Sequence, residues 1–473
     1  MKKRQCCFII NLILTCSVLY VIHSYLNSLY TWKCCKFLFG SEKSVGIPSI
    51  VVYSNKNNIK ESTKCQNFNH TLIISTIKNE WQKIDHTNLY VYSAYIDDRI
   101  KGKRFIRIIA MSKGMFRQRI FCNTWTNNEN VYSYQLDFQE LWITSWDMAT
   151  PDQYYRPFLL SCEVDKTISP SAITVTTTPC KHSSSILLLN KTHSKSRIQR
   201  DFMVCLKPLN FKYDITVKLL EWLELQFLLG ADKVAVYVYK VPFKVLNVLK
   251  HYEEQGKVTI KYISLLDSQE VANEKSEQNV WQKRRYEMAI YNDCFYNHIL
   301  THKVVVNLDL DEAIIPIKAS SWPVLFKQAK KYSPNIFQFA SISAPNVYFF
   351  DSFGEESDES VPEYSYMLRH LIRSSNFTPP GFAQKSFFLT NNTLSVTNHY
   401  ALKSLHYSIR TNTAMKKELA QLNHYRSACP SKMEIECLEN YMKFTVKDPI
   451  ILKYKDTLSA QIKKRLAELN LTA

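Results

Sequence analysis

Three carboxylates stand close together in the segment VVVNLDLDEAIIP, which spans residues 304–316. They are Asp309, Asp311 and Glu312, and they follow an apolar run that is typical of a buried strand. Because strand side chains alternate between two faces, Asp309 and Asp311 are expected to share a face and reach one cation. Oxygen ligands of this kind suit Mg²⁺ or Mn²⁺ bound together with phosphate groups. A solvated turn at the end of the strand is the alternative interpretation.

The residues around this segment alternate between strand-like and helical patterns. Four apolar strands (DFMVCL, KVAVYVY, KVTIKYISL and KVVVNLDLD) are separated by three helical segments, and Gly230 and Gly256 are expected to end the first two helices. The second helix is expected to bury a face formed by Val245, Val248, Leu249 and Tyr252. The alternation predicts an α/β layer with a mostly parallel sheet. Ligands of such sheets bind outside the carboxyl ends of the strands, where the acidic segment falls.

The composition describes a large globular protein of 473 residues, of which 46% are hydrophobic and 13% aromatic. The formal net charge is +18. A basic excess can indicate nucleic acid, anionic membrane surfaces or phosphorylated substrates. Here the Lys and Arg residues are spread along the chain and form no basic recognition helix, so nucleic acid is not predicted as a partner.

The N-terminus predicts a membrane anchor. We expect a cytoplasmic tail at residues 1–7, a transmembrane signal-anchor at 8–30 and a polar stem at 31–85. The apolar stretch is long enough to cross a bilayer, which takes about 20 residues. Positive charge before it favours a cytoplasmic N-terminus, so the rest of a single-pass type II chain would be lumenal. A cleaved signal peptide is the alternative.

Two folded parts are predicted beyond the stem. Residues 86–200 read as a β-rich N-terminal region, because β-branched and aromatic residues alternate with polar ones. Within it, the Ser/Thr-rich stretch 170–198 is expected to act as a linker. Residues 201–460 hold the α/β pattern and the acidic segment.

Cysteines and glycosylation sequons agree with an oxidising, lumenal environment. Ten of the 13 cysteines lie beyond the predicted span, an even number suited to disulfides whose pairing the sequence does not give. Five N-x-S/T sequons also follow the span, at Asn69, Asn190, Asn376, Asn391 and Asn470.

Six segments together resemble glycosyltransferase family 92. They are VCLKPL (204–209), EWLELQFLLGADKVAVYVY (221–239), YNDCFY (291–296), VVNLDLDEAIIP (305–316), KSFFLT (385–390) and NHYR (423–426). The resemblance covers about residues 88–450 and is strongest from 201 to 316. Ala313 departs from the expected aromatic or larger apolar residue, which affects the shape of the donor site. The resemblance implies a type II membrane enzyme whose catalytic domain has the GT-A fold, a Rossmann-like and mostly parallel α/β sheet.

The activity implied by the resemblance is transfer of a sugar, expected to be galactose, from a UDP-sugar to a glycan of a glycoprotein or polysaccharide, with inversion. Mn²⁺ or Mg²⁺ is the implied cofactor, UDP-galactose the expected donor, and the Golgi membrane the implied location. Asp311 would bind the metal directly, while Asp309 would contact the donor ribose or metal-bound water. The alternative is a membrane-tethered lumenal glycan-binding protein that kept the fold and lost catalysis.

Further site residues are expected from the C-terminal part of the chain. A histidine commonly completes a GT-A metal site, and His399 and His424 are the two candidates. Lys385 and Arg426 are candidate contacts for the donor phosphates, Arg426 through a bidentate bond.

An inverting transfer also needs a base that accepts the proton of the acceptor hydroxyl. Glu312, Asp351 and Glu363 are the candidates, and the sequence does not separate them.

Overall fold

The computed structural model describes residues 62–65, 80–126, 130–143, 146, 151–189, 199–266, 277–355, 360–429 and 434–471. Lys60–Ala473 forms one compact unit. The predicted tail at 1–7, the predicted anchor at 8–30 and most of the predicted stem lie outside the described residues. Within the ranges that the structure describes, no helix is long and apolar enough to cross a membrane.

The first part of the described chain consists of antiparallel strands. In chain order these are β1 (Thr63–Lys64), β2 (Gln82–Lys83), β3 (Leu89–Asp97), β4 (Arg104–Lys113), β5 (Phe121–Thr126), β6 (Val131–Gln135), β7 (Asp137–Glu140), β8 (Tyr155–Val164), β9 (Pro170–Thr176) and β10 (Leu187–Leu188). They form two five-stranded sheets, in the orders β1-β6-β5-β9-β10 and β2-β3-β4-β8-β7. The disulfide Cys122–Cys162 joins β5 of one sheet to β8 of the other.

The expectation of a linker at 170–198 is wrong for its first residues. Pro170–Thr176 forms β9, which pairs with β5 on one side and β10 on the other. The reason is that its Ile and Val residues are buried in the sheet while its hydroxyl side chains tolerate the strand conformation.

The second part of the chain alternates strands and helices at first. Its strands are β11 (Arg200–Asn210), β12 (Lys233–Lys240), β13 (Val258–Tyr262), β14 (His302–Leu308), β15 (Glu312–Pro316), β16 (Phe339–Ala344), β17 (Asn346–Phe350), β18 (Ile372–Ser374), β19 (Lys385–Leu389), β20 (Thr393–Val396), β21 (Ala401–Ser404), β22 (Arg410–Ala414), β23 (Ala420–Arg426) and β24 (Thr445–Lys447). Its α-helices are α1 (Thr216–Leu229), α2 (Phe243–Glu254), α3 (Glu277–His298), α4 (Trp322–Tyr332), α5 (Glu434–Cys437) and α6 (Lys455–Glu468).

A seven-stranded sheet in the order β13-β12-β11-β14-β19-β16-β22 forms the centre of this part. The strands β11 to β14 run parallel, as the sequence predicts, while β19 is antiparallel to both β14 and β16. The fold is therefore mixed α/β. The carboxyl ends of the four parallel strands meet at one edge, and the acidic segment follows β14 at that edge.

The helices that cover this sheet end where the glycines predict. Gly230 follows α1 with φ of 112°, a left-handed conformation that favours glycine, and a Cβ there would lie 2.8 Å from Cδ of Pro323. The buried face of α2 consists of Val245, Val248, Leu249 and Tyr252, which confirms the face predicted from periodicity.

A buried carboxylate connects the two parts of the described chain. Asp293 of α3 accepts hydrogen bonds from the hydroxyls of Ser93 and Tyr95 in β3 and of Tyr237 in β12. Lys261 Nζ lies 2.7 Å from its second oxygen. Burial alone would raise the pKa of Asp293, but Lys261 and the hydroxyls of Ser93 and Tyr237 lower it. The negative charge of Asp293 is thus paired and hydrogen-bonded by residues from both parts of the chain.

Candidate active site

The acidic segment lies in a turn between β14 and β15. The strand β14 ends at Leu308, one residue before Asp309, and the backbone N–H of Glu312 donates to the carbonyl of Asp309 at 3.2 Å. Asp309 and Asp311 therefore lie in a turn and not on a strand, so the alternation of strand side chains does not determine which way they face. The turn gives them different surroundings, because the Asp309 side chain is 18% exposed and that of Asp311 is 47% exposed.

Two lysines hold the Asp309 carboxylate. Lys385 Nζ lies 2.9 Å from Oδ1 and Lys207 Nζ lies 3.1 Å from Oδ2, while the Tyr291 hydroxyl donates to Oδ1 at 3.3 Å. Burial alone would raise the pKa of Asp309, but the two ammonium groups outweigh it and lower the pKa well below its ordinary value. Asp309 is ionised and already paired at neutral pH.

Glu312 lies beneath the turn and is fixed from several sides. Its side chain is 2% exposed, Lys385 Nζ lies 3.1 Å from Oε2, and the same oxygen accepts the backbone N–H of Asp309 at 2.9 Å. The indole N–H of Trp222 donates to the Glu312 carbonyl. Burial raises the pKa of Glu312 despite the nearby lysine. The residue is positioned to shape the turn and has little access to an acceptor sugar.

Asp311, Glu312 and His424 form a group that could hold a metal ion, with one ligand atom of each lying within 4.8 Å of the others. His424 Nε2 lies 3.7 Å from Asp311 Oδ2, and Nδ1 lies 3.6 Å from Glu312 Oε1. Burial alone would raise the pKa of Asp311, but His424 lowers it. The buried Nδ1 of His424 has no hydrogen-bond partner among the described residues. Two carboxylates and an imidazole with an unused ring nitrogen fit a divalent cation.

The position of His424 follows from strand pairing. β15 and β23 are antiparallel, with Glu312 directly opposite His424, and the backbone N–H of Tyr425 donates to the Asp311 carbonyl at 2.8 Å. The NHYR segment thus lies across from the DLDE segment. Of the two candidate histidines, His424 is the one that joins Asp311 and Glu312.

His399 lies near the site in a different environment. Its Nδ1–H donates to the carbonyl of Gln384 at 2.8 Å, and burial lowers its pKa to about 3, with a further contribution from Lys385. It is therefore neutral, and it stands outside the group formed by Asp311, Glu312 and His424.

The remaining candidates lie at different depths around the site. Asp351 follows β17, which pairs in parallel with β23 so that Phe350 is opposite Arg426. Arg426 is half-buried and its Nε donates to the Ala428 carbonyl at 3.3 Å. Glu363 is exposed. Lys385, expected to contact donor phosphate, is 0% exposed beneath the carboxylates.

Asp351 is held by two aromatic side chains. The Tyr366 hydroxyl donates to its Oδ1 at 2.5 Å, and His370 Nε2 lies 3.4 Å from the same oxygen. Burial is the largest cause of the raised pKa of Tyr366, and the negative charges of Asp351 and Asp311 raise it further. The Asp351 side chain keeps 43% of its surface exposed.

The segment that carries Tyr366 is anchored from below by Glu221 of α1. Its carboxylate accepts the backbone N–H groups of Tyr366, Met367 and Leu368 at 2.8 to 3.3 Å. Burial raises the pKa of Glu221 to about 7, although these N–H groups act in the opposite direction. Glu221 therefore positions Tyr366, and through it Asp351.

Two residues that contact Asp309 were not predicted from the sequence as such. Lys207 lies in the VCLKPL segment of β11 and contacts Asp309, and Tyr291 begins the YNDCFY segment of α3 and contacts the same carboxylate. Both segments carry the family resemblance, so their polar residues were the available signal.

A parallel sheet with carboxylates and lysines at the carboxyl ends of its strands defines an α/β protein with a polar ligand site at that edge. The model of glycosyltransferase family 92 matches residues 200–462, more than half of the chain. The chain belongs to this family and carries a glycosyltransferase domain, which confirms the resemblance.

No curated protein matches the chain. Among solved structures, the chain is similar to residues 1–349 of TarS from S. aureus, with 14% identity over 57% of this chain and 72% of that one. The TM-score is 0.22, and a similarity at this level carries no argument about function.

Proposed function

We propose that this protein is an inverting, metal-dependent glycosyltransferase with a GT-A fold that transfers galactose from UDP-galactose to a glycan acceptor. The observation that carries the proposal is the group of Asp311, Glu312 and His424 at the edge where the four parallel strands end. Family membership supports transfer of a sugar from a nucleotide donor. The choice of galactose rests on the sequence resemblance alone.

The donor site follows from the charges around Asp309. Asp311 and His424, with Glu312 behind them, would hold Mn²⁺ or Mg²⁺, which supplies a Lewis acid for the donor diphosphate. Lys207, three residues before the end of β11 and 33% exposed, offers its ammonium group to the same diphosphate. Lys385 instead neutralises the buried carboxylates and keeps the turn in place.

Asp351 is the candidate that fits a catalytic base. Glu312 is buried and paired, whereas Asp351 is exposed and fixed by Tyr366. Asp311 comes just before β15 and Asp351 just after β17, and these two strands lie on either side of β23. The strands are roughly 10 Å apart, which leaves room for the reacting sugars. Its carboxylate takes the proton of the acceptor hydroxyl, whose oxygen bonds to the anomeric carbon as the bond to the diphosphate breaks.

We also propose the location inferred from the sequence: a single-pass type II protein of the Golgi membrane with its catalytic part in the lumen. Folding in an oxidising compartment is supported by four disulfides among the described residues, namely Cys65–Cys180, Cys122–Cys162, Cys205–Cys294 and Cys429–Cys437.

The test combines ligand-induced stabilisation with transfer measurements. UDP and Mn²⁺ together are expected to stabilise the native protein by about 2.7 kcal/mol at 100 times the dissociation constant. Asp311→Asn should abolish the Mn²⁺-dependent part. Asp351→Asn should keep this stabilisation and lose transfer to acceptor by about 100-fold or more. Asp201→Asn, which removes an exposed ion pair with Lys303, serves as the matched control.

The outcomes separate the two functions considered. A native protein that shows no response to UDP with Mn²⁺ but binds glycans would support the glycan-binding alternative. A stabilisation by UDP that needs no metal and survives Asp311→Asn would refute the metal site. The donor is identified by comparing release of the nucleotide from UDP-galactose, UDP-glucose, UDP-N-acetylglucosamine and GDP-fucose.

A further inference from the structure

A groove of about 640 Å³ opens at the edge of the seven-stranded sheet where β14 begins, the edge opposite to the candidate active site. Its lining includes the rings of Phe326 and Phe337 together with Asp201, Lys303 and Asn391. The volume lies in the range of small-ligand pockets, and a lining of aromatic rings with a few polar groups is also typical of such pockets.

Asn391 lies at the rim of this groove in the tight turn between β19 and β20. The turn is fixed by its other side chains: the Thr390 hydroxyl donates to a backbone carbonyl of β14 at 2.8 Å, and the Asn392 amide donates to the carbonyl of Phe337 at 2.9 Å. The Thr393 hydroxyl donates to a carbonyl of β16 at 2.7 Å. Asn391 itself is exposed. The turn therefore presents one amide to solvent from a rigid backbone.

Asn391, Asn392 and Thr393 form an N-x-Thr sequon. We infer that Asn391 carries an N-linked glycan whose first sugars lie in the groove over Phe326 and Phe337. In the modification, Nδ2 of Asn391 bonds to the anomeric carbon of a lipid-linked oligosaccharide. The bond from that carbon to the lipid pyrophosphate breaks, the pyrophosphate leaves, and the amide loses one proton.

The order of events follows from burial. The Thr393 side chain is 0% exposed in the folded protein, so the sequon is accessible only before the turn closes. The modification thus precedes folding, and the folded groove then receives the attached sugars. The disulfide Cys122–Cys162, which joins the two N-terminal sheets, supports folding in a compartment where such modification occurs.

The position of the groove keeps the glycan away from catalysis. β14 has seven residues, so the groove at its start and the acidic turn after its end lie roughly 20 Å apart. The polar groups of Asp201, Lys303 and Lys327 around the groove suit sugar hydroxyls, while the two phenylalanine rings cover an apolar sugar face.

The first experiment tests whether Asn391 is glycosylated. The full chain is produced in a eukaryotic secretory cell, and the peptide that contains Asn391 is analysed by mass spectrometry before and after enzymatic glycan release. We expect the native chain and Thr393→Ser, which keeps the sequon, to carry the glycan. Asn391→Gln should lose one glycan mass. A folded native chain with Asn391 unmodified would overturn the inference.

The second experiment tests whether the glycan binds in the groove. Enzymatic removal of the glycan is expected to lower the unfolding temperature of the native protein, and the decrease should be smaller in Phe337→Leu. Phe243→Leu, an exposed aromatic away from the groove, should behave as the native protein. Equal decreases in Phe337→Leu and the native protein, or no decrease at all, would refute binding in the groove.

Labelling of lysines gives a readout that does not depend on a variant. The glycan should protect Lys327, which lines the groove, from an amine-reactive reagent. Removal of the glycan should raise the labelling of Lys327 several-fold relative to that of Lys212. Lys212 lies in the β11–α1 loop at the other edge of the sheet and serves as the reference. Unchanged labelling of Lys327 would contradict the inference. The inference rests on the lumenal location proposed above, but neither readout uses sugar transfer, so its failure is distinguishable from failure of the proposed activity.

Discussion

Replacing Lys385 by Met removes the cation at the centre of the acidic turn and keeps most of the side-chain volume. Lys385 Nζ lies 2.9 Å from Asp309 Oδ1 and 3.1 Å from Glu312 Oε2, and its side chain is 0% exposed. Loss of one partner from a buried ion pair costs about 3–5 kcal/mol, because the other charge stays buried. Asp309 keeps Lys207, so most of the cost falls on Glu312.

The loss of stability in Lys385→Met should grow as pH rises. Burial already raises the pKa of Glu312, and loss of the lysine raises it further. A carboxyl whose pKa is higher in the folded protein stabilises it below the pKa of the unfolded chain, near 4.3, and this contribution is lost as pH rises through the folded value. Lys385→Met should therefore be closest to the native protein in stability at pH 5 and furthest from it at pH 8.

The assay is urea unfolding followed by tryptophan fluorescence, in the presence of a chelator, at pH 5 and pH 8. Lys303→Met is the matched control, because Lys303 pairs with Asp201 at the surface and its loss should cost less than about 1 kcal/mol. Mn²⁺ should recover part of the stability of Lys385→Met by returning a cation to the carboxylates. A variant within about 0.5 kcal/mol of the native protein at both pH values would refute the reasoning.

Two further predictions concern the base and a buried histidine. Tyr366→Phe removes the hydroxyl that donates to Asp351. The variant should lower kcat about 10- to 100-fold while KM for the donor stays unchanged. Tyr364→Phe is the control, and an equal loss of kcat in both variants would contradict a positioning role for Tyr366. Burial lowers the pKa of His298 to about 3, so the unfolded chain, with its ordinary value near 6.5, takes up a proton as pH falls and stability is lost below pH 6.5. Between pH 7 and pH 5, His298→Gln should therefore lose about 2 kcal/mol less than the native protein in urea unfolding, and an identical loss would show that the residue is not buried as a neutral side chain.

The sequence predicted the part of the fold that local patterns determine. The face of α2 follows from helical periodicity, and the end of α1 follows from Gly230, because glycine readily accepts the left-handed conformation with which the helix ends. The placement of Asp309 at the carboxyl edge of the sheet follows from the alternation of strands and helices. These features need no knowledge of distant contacts.

The composition of the site depends on strand register, which no local pattern contains. His424 reaches Asp311 only because β23 lies antiparallel to β15 with His424 opposite Glu312, and a shift by one residue would turn it to the other face. Lys385 likewise reaches Glu312 because β19 inserts next to β14 in the central sheet. The sequence offers His399 and His424 as candidate metal ligands and Lys385 as a candidate phosphate contact. Pairing across long separations places His424 beside Asp311 and Glu312, and it places Lys385 between the buried carboxylates.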